Sequence, residues 1–271
     1  MRIPIESAGG YREPPIDWRS PAMLGRLAVV LVVLAFVAAC FVTARVDPVA
    51  LVRGMPRLFQ WAATAWPPQL QELDTVALRA FETVAIATVG TLMAALIAAP
   101  LSMLVAANVT PAPRVGLALR WFANACRGID TVVFALLFVA AVGLGPFAGV
   151  LGMIVHSIGV ITKLNSEAIE TLARAPLEAA AMSGADPVRI MSHAVFPAVL
   201  PNLASVSLYL WEANVRTSTV LGIVGAGGIG IEIKSAIDLL DFQRLFTLTV
   251  AVLVMVTLID QLSAWLRRRL V

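Results

Sequence analysis

From Thr83 to Pro113 not one side chain carries a charge. An α-helix rises about 1.5 Å per residue, so roughly 20 residues cross the ~30 Å apolar core of a bilayer. A run of this length exceeds that need, and in water it would have to be covered on every side. Apolar runs recur at Leu27–Ala44 and between Asp130 and Lys163, and, with two charged residues each, from Pro197 to about Val224 and from Arg244 to about Leu266. Composition agrees: 59% of residues are hydrophobic and the mean hydropathy is +0.88, against the roughly 45–50% apolar content of soluble domains. The chain is therefore expected to be an all-α polytopic membrane protein with about six transmembrane helices, and a soluble enzyme is excluded. The net charge of +3 is spread over loops without an aromatic-interleaved basic patch, so no nucleic-acid partner is expected. Cys40 and Cys126 sit in different apolar runs and suggest packing, with no disulfide framework.

Residues 1–74 form the less specific part of the chain: a polar tail, the span Leu27–Ala44, and a loop rich in Pro and Trp. Trp61 and Trp66 suit a membrane–water interface. Residues 75–271 hold the remaining spans. Between Asp130 and Lys163 the only titratable side chain is His156. One helix there would reach about 48 Å, so Gly143-Leu144-Gly145-Pro146 is expected to turn it into a hairpin. With six spans, about thirteen Lys and Arg fall on one side and about five on the other. The positive-inside rule then places both termini in the cytoplasm.

The long polar interruption of the second half, about 165–197, carries the most specific signal. Pro176 can open a short helix, Gly184 can end it in a left-handed cap, and Asp186-Pro187 can cap and start another. Flanked by spans, this element would be displayed at a membrane surface as a handle for a soluble partner. Glu178-Ala179-Ala180, Gly184 six positions on, and Pro197 thirteen beyond it resemble the cytoplasmic coupling loop of ABC importer permeases. Ala194 and Phe196 stand where that family usually has Ile and Leu. The resemblance implies a type I importer permease core in which Glu178, Ala179, Ala180, Gly184, Ala185, Asp186 and Pro187 meet an ATPase.

Gly225, Gly227, Gly228 and Gly230 fit a dinucleotide-binding spacing, but that pattern needs a preceding strand. After a membrane helix they are expected to form a structural, close-packed turn. No phosphate loop with its Lys is present, so this chain should hold no cofactor and hydrolyse no ATP itself; no metal-ligand cluster is apparent either. Glu212 and Arg216 lie four apart on one helix face. Charge at membrane depth is costly and marks either a path or a paired structural site. One reading puts Arg216, with Glu212, Asn214 and Ser218, along an anion pathway; the other makes Glu212–Arg216 a self-neutralising pair. His156 likewise reads as a hydrogen-bond donor to an anion or as a packing residue. Arg127 and Asp130 are expected to form an interfacial ion pair.

Further stretches resemble the permeases of phosphonate-type importers. They are Gly143–Leu151, Lys163-Leu164 with Glu167-Ala168-Ile169-Glu170, Trp211–Arg216 and Val224–Gly230. This resemblance runs from about Thr75 to Arg268. It implies a multi-pass protein of the bacterial inner membrane that pairs with a second copy of itself. Its other partners would be two cytoplasmic ATPase subunits using ATP and Mg and an external substrate-binding protein, and the cargo phosphonate, phosphite or phosphate. Methionine importer permeases share the coupling loop and a Gly-rich turn, and remain an alternative, as does a membrane scaffold.

Overall fold

The computed structural model describes residues 21–45, 47–110, 112–173 and 182–270. Two compact units divide it, one ending at Phe59 and one starting at Gln60. In the first, α1 (Pro21–Thr43) is the expected apolar span, uncharged after Arg26. The helix α2 (Pro48–Thr64), begun there, runs across the division at Phe59.

The second unit is all-helical among its described residues. Its α-helices are α3 (Leu73–Val105), α4 (Pro113–Gly128), α5 (Thr131–Val142), α6 (Pro146–Glu170), the one-turn α7 (Pro187–Ile190), α8 (Phe196–Leu221), α9 (Gly230–Asp238) and α10 (Phe242–Leu270). A π-helical turn, Met191–Val195, joins α7 to α8. Counting α1, five described helices are long and apolar enough to cross a membrane, or six if α4 and α5 form one broken span bent by 90°.

The break between α4 and α5 corrects one expectation, the ion pair of Arg127 with Asp130. The first limb of the hairpin begins at Thr131 and has 12 residues, about 18 Å and short of a bilayer core. Asp130 is the reason: its Oδ1 accepts the Val132 N–H at 2.8 Å, so it caps α5 from an extended conformation. Among the described residues it makes no ion pair with Arg127. The hairpin turn itself lies where expected, with Gly143 and Gly145 at φ of +94° and +141°.

Between apolar helices in lipid there is little hydrophobic driving force, so close van der Waals packing and buried hydrogen bonds must hold them. Helix α6 achieves this through small residues. A Cβ on Gly152 would lie 2.7 Å from the Ala135 nitrogen, and one on Gly159 would lie 2.5 Å from that of Arg127. Both α4 and α5 therefore approach the α6 backbone. The centre of the unit is filled by Ile86, Ala87, Ala135, Met153, Val215, Leu221, Met255 and Ile259 from five helices.

Candidate functional site

Glu212 stands two and a half turns before the end of α8, amid apolar sequence, with its side chain 15% exposed. Arg216 donates to Oε1 at 2.8 Å, as the four-residue spacing requires. The other oxygen, Oε2, accepts from Arg267 at 3.1 Å. Arg267 belongs to the basic end of α10, and Ser263, one turn earlier, donates to the Leu208 carbonyl at 3.3 Å. One carboxylate thus bridges two permanently charged guanidinium groups, and the cluster has a formal surplus of one positive charge. The expected pair exists, but it is not self-neutralising.

Asn214 faces the other way. Its Nδ2 donates to Thr91 Oγ1 at 2.8 Å and to Ser157 Oγ at 3.0 Å, tying α8 to α3 and α6 at a buried point. Ser218 is fully buried on α8. His156 Nδ1 lies 2.8 Å from the Ile129 carbonyl, a group left unpaired where α4 ends, so Nδ1 carries the proton. Of the five residues weighed as a path, the structure brings Glu212 and Arg216 together. It spends Asn214 and His156 on helix-to-helix contacts.

At the N-terminal end of α3 the glycines form the expected turn. Gly225, Gly227 and Gly228 have φ of +85°, +89° and +78°, a region costly for other residues. Gly230 is pressed against its own incoming helix, where a Cβ would lie 2.1 Å from the Thr219 carbonyl oxygen. The Ile229 N–H donates to Thr83 Oγ1 at 2.8 Å, and the Gly145 N–H to the Gly225 carbonyl at 3.0 Å, so the turn rests on α3 and on the α5–α6 hairpin. Beside it runs an ion-pair ladder. Arg244 joins Glu72 and Glu232, each at 2.8 Å, and Arg79 joins Glu232 at 3.3 Å and Glu82 at 2.8 Å. Arg79 and Glu82 also line an open hollow of about 600 Å³ with Lys234, Leu144 and Ile223.

At the opposite end of α3, Glu170 closes α6. Its Oε1 accepts both the Ala107 N–H, at 2.9 Å, and Arg120 of α4, which also donates to the Val105 carbonyl at 3.0 Å. Ala106, Ile169, Val195 and Val199 pack together there. Of the coupling-loop residues, Glu178, Ala179 and Ala180 lie outside the described residues. Gly184 has φ of +82°, the left-handed value expected of a cap. Ala185 is half-buried, and Asp186 caps α7 by accepting the Arg189 N–H at 2.8 Å just before Pro187.

The family model of the binding-protein-dependent transport system inner membrane component matches residues 98–271, which include α8, the loop residues and the glycine turn. The chain belongs to that family. The permease is similar to the putative phosphite transport system permease protein HtxC of Stutzerimonas stutzeri, 44% identical over 88% of this chain and 84% of that one. The phosphite transport system permease protein PtxC of the same organism is 37% identical over 93% and 90%. In fold, the permease resembles a chain of the MetNI methionine ABC transporter in an inward-facing conformation. The TM-score is 0.66 at 19% identity, covering 75% of this chain and 99% of that one. Its fold is thus that of an ABC importer permease, and the family is a transport component rather than an enzyme.

Sequence reading missed Arg267, Thr91, Ser157 and the Arg120–Glu170 contact. In sequence Arg267 is one of three consecutive arginines, Arg267–Arg269, with nothing to set it apart. The α8 spacing of Glu212 and Arg216 was readable, but no local pattern pairs positions 55 residues apart.

Proposed function

We propose that the permease, with a second copy of itself, forms the path by which a phosphonate or a related phosphorus oxyanion, phosphite or phosphate, enters the cell. The 44% identity to a phosphite transport permease over most of both chains carries this reading. The surplus positive charge around Glu212 supports an anionic cargo. The permease would lie in the bacterial inner membrane with both termini cytoplasmic, which puts the Gly143–Gly145 and Gly225–Gly230 turns outside and the 171–190 segment inside. An external binding protein would deliver the anion, and two cytoplasmic ATPase subunits would hold ATP and Mg.

Coupling then runs through the loop. Glu178–Pro187 would dock on the ATPase, and closure of the ATPase dimer would move the segment as a body. Glu170 at its start and Val195 and Val199 at its end are fastened to α3 and α4, so displacement of the loop would reach the spans directly. The ATPase need only bias a bundle with inward- and outward-facing states. Reversing a 99:1 population takes about 5.5 kcal/mol of differential interaction.

The test is uptake and ATP hydrolysis in proteoliposomes holding the permease, its ATPase and its binding protein, offered phosphonate, phosphite, phosphate and methionine in turn. Coupled uptake of a phosphorus oxyanion is expected. Response to methionine alone would replace the cargo and keep the importer. An assembled complex that answers none of the four would favour a scaffold. Cross-linking of tagged copies in the same complex tests the second copy, and capture of a different permease chain in its place would make the pair heteromeric.

A further inference from the structure

The Glu212 carboxylate offers one oxygen to each of two arginines, 2.8 Å to Arg216 and 3.1 Å to Arg267. A phosphorus oxyanion is held in the same way, by two of its oxygens on separate guanidinium groups. The two arginines come from different helices, and the glutamate is the acid that pairs with both. Arg216 is 50% exposed and Arg267 33%, whereas Glu212 is recessed at 15%. On α8 the exposed side of Arg216 is shared by Tyr209, seven positions before it, and Val220, four after. A guanidinium on that side of a membrane helix would be costly against acyl chains and belongs toward a water-filled path or a second permease chain.

We propose that Glu212 is a built-in stand-in for the transported anion. The oxyanion displaces the carboxylate from Arg216 and Arg267 in passing, and Glu212 takes the arginines back when it leaves. This rests on the importer reading above and deepens it by naming the residues that touch the cargo. Charge decides the direction of exchange. A dianion is attracted to the arginine pair about twice as strongly as a monoanionic carboxylate at equal distance, while the tethered carboxylate returns without losing translational freedom. The competition makes the site weak, which suits a permease. A path needs binding favourable enough for entry and loose enough for exit. Two arginines without the glutamate would instead trap the anion.

The experiment uses the assembled permease–ATPase complex in nanodiscs, without binding protein, and measures radiolabelled phosphite binding; uptake is measured separately in complete proteoliposomes. Uptake of phosphite, phosphate and phosphonate by the wild type is measured first; absence of all three would defeat the phosphorus-oxyanion reading and this site together, and if phosphite is not taken up the accepted anion replaces it as the radiolabelled probe. With uptake established, Glu212→Gln keeps the size and one acceptor oxygen but removes the competing charge. It is expected to tighten phosphite binding about tenfold and to slow uptake, because release becomes limiting. Arg267→Gln is expected to weaken binding by a similar factor. If Glu212→Gln binds phosphite no tighter than wild type while uptake by the wild type stands, Glu212 is a structural counter-ion and the proposal fails alone. Should Glu212→Gln not assemble, Glu212→Asp serves. One methylene shorter, it cannot bridge both arginines, and it is expected to bind phosphite about threefold tighter; unchanged or weaker binding would overturn the idea equally.

Discussion

Arg120 and Glu170, fifty positions apart in the chain, meet where α3 and α6 end against the first half of α4. The same Glu170 oxygen accepts the Ala107 N–H, so one side chain fastens the start of the loop to two other helices. Glu170→Ala is expected to lower stability by about 1–2 kcal/mol, the worth of a charge-assisted pair discounted for partial exposure. Thermal unfolding in detergent measures it. Glu170→Gln, which can still accept from Ala107, should lose about half as much. A Glu170→Ala melting point equal to wild type would show that the contact holds nothing.

Asn214 is the polar centre of the bundle. Removing its amide leaves Thr91 and Ser157 without their donor and opens a small void. Interhelical hydrogen bonds in membranes average about 0.6 kcal/mol each, so Asn214→Ala should cost about 1–3 kcal/mol once the void is included. Thr91→Val should cost under about 1 kcal/mol. Unfolding in mixed micelles gives both, and the order of the two is the check.

Glycine substitutions separate close approach from conformational strain. Gly230→Ala would place a Cβ 2.1 Å from the Thr219 carbonyl, and Gly159→Ala one 2.5 Å from the Arg127 nitrogen; neither neighbour is a side chain able to move. Both variants should fail to give monodisperse protein. Gly128→Ala meets nothing within 4 Å and should be tolerated. Gly143→Ala also meets open space, but at φ of +94° it should cost about 1–2 kcal/mol. Equal yields of all four would contradict this packing.

Asp260 lies within α10, and its Oδ1 is buried without a hydrogen-bond partner among the described residues. An ionised carboxylate in such a place is costly, and a neutral amide less so. Asp260→Asn is therefore expected to melt at or above the wild-type temperature. A clear fall would reveal a partner in another state or on another chain.

In the coupling loop, Glu178→Lys should cut uptake about tenfold or more while leaving the amount of permease in the membrane unchanged. Quantitative immunoblotting beside transport distinguishes this from misfolding. Full uptake at normal abundance would remove Glu178 from the docking surface.

Helix positions were legible because each follows from a local rule. Apolar runs gave α3, α8 and α10 close to their observed limits, and α6 to within two turns of its end. The Gly143–Pro146 turn and the Asp186 cap were readable from residues whose conformations are restricted. The expected Arg127–Asp130 pair does not form, since Asp130 offers a charge to Arg127 and a cap to α5 alike and serves as the cap. The short helix α9 after the glycines was not anticipated: its nine residues carry too few periodic positions to stand out.

By itself, then, the chain determined that it crosses a membrane several times, where it turns, and which segment is polar enough to leave the bilayer. Charge and apolar run length act residue by residue, so no fold is needed to read them. Which buried polar groups face one another was decided only by the tertiary structure. Asn214 could have met any neighbouring helix, and Arg267 looked like one of three equivalent basic residues. The rotation of α8 against α3 and α6 set Asn214 on Thr91 and Ser157. The α8–α10 contact brought Arg267 to the far oxygen of Glu212, turning a neutral pair into a cluster with positive charge to spare.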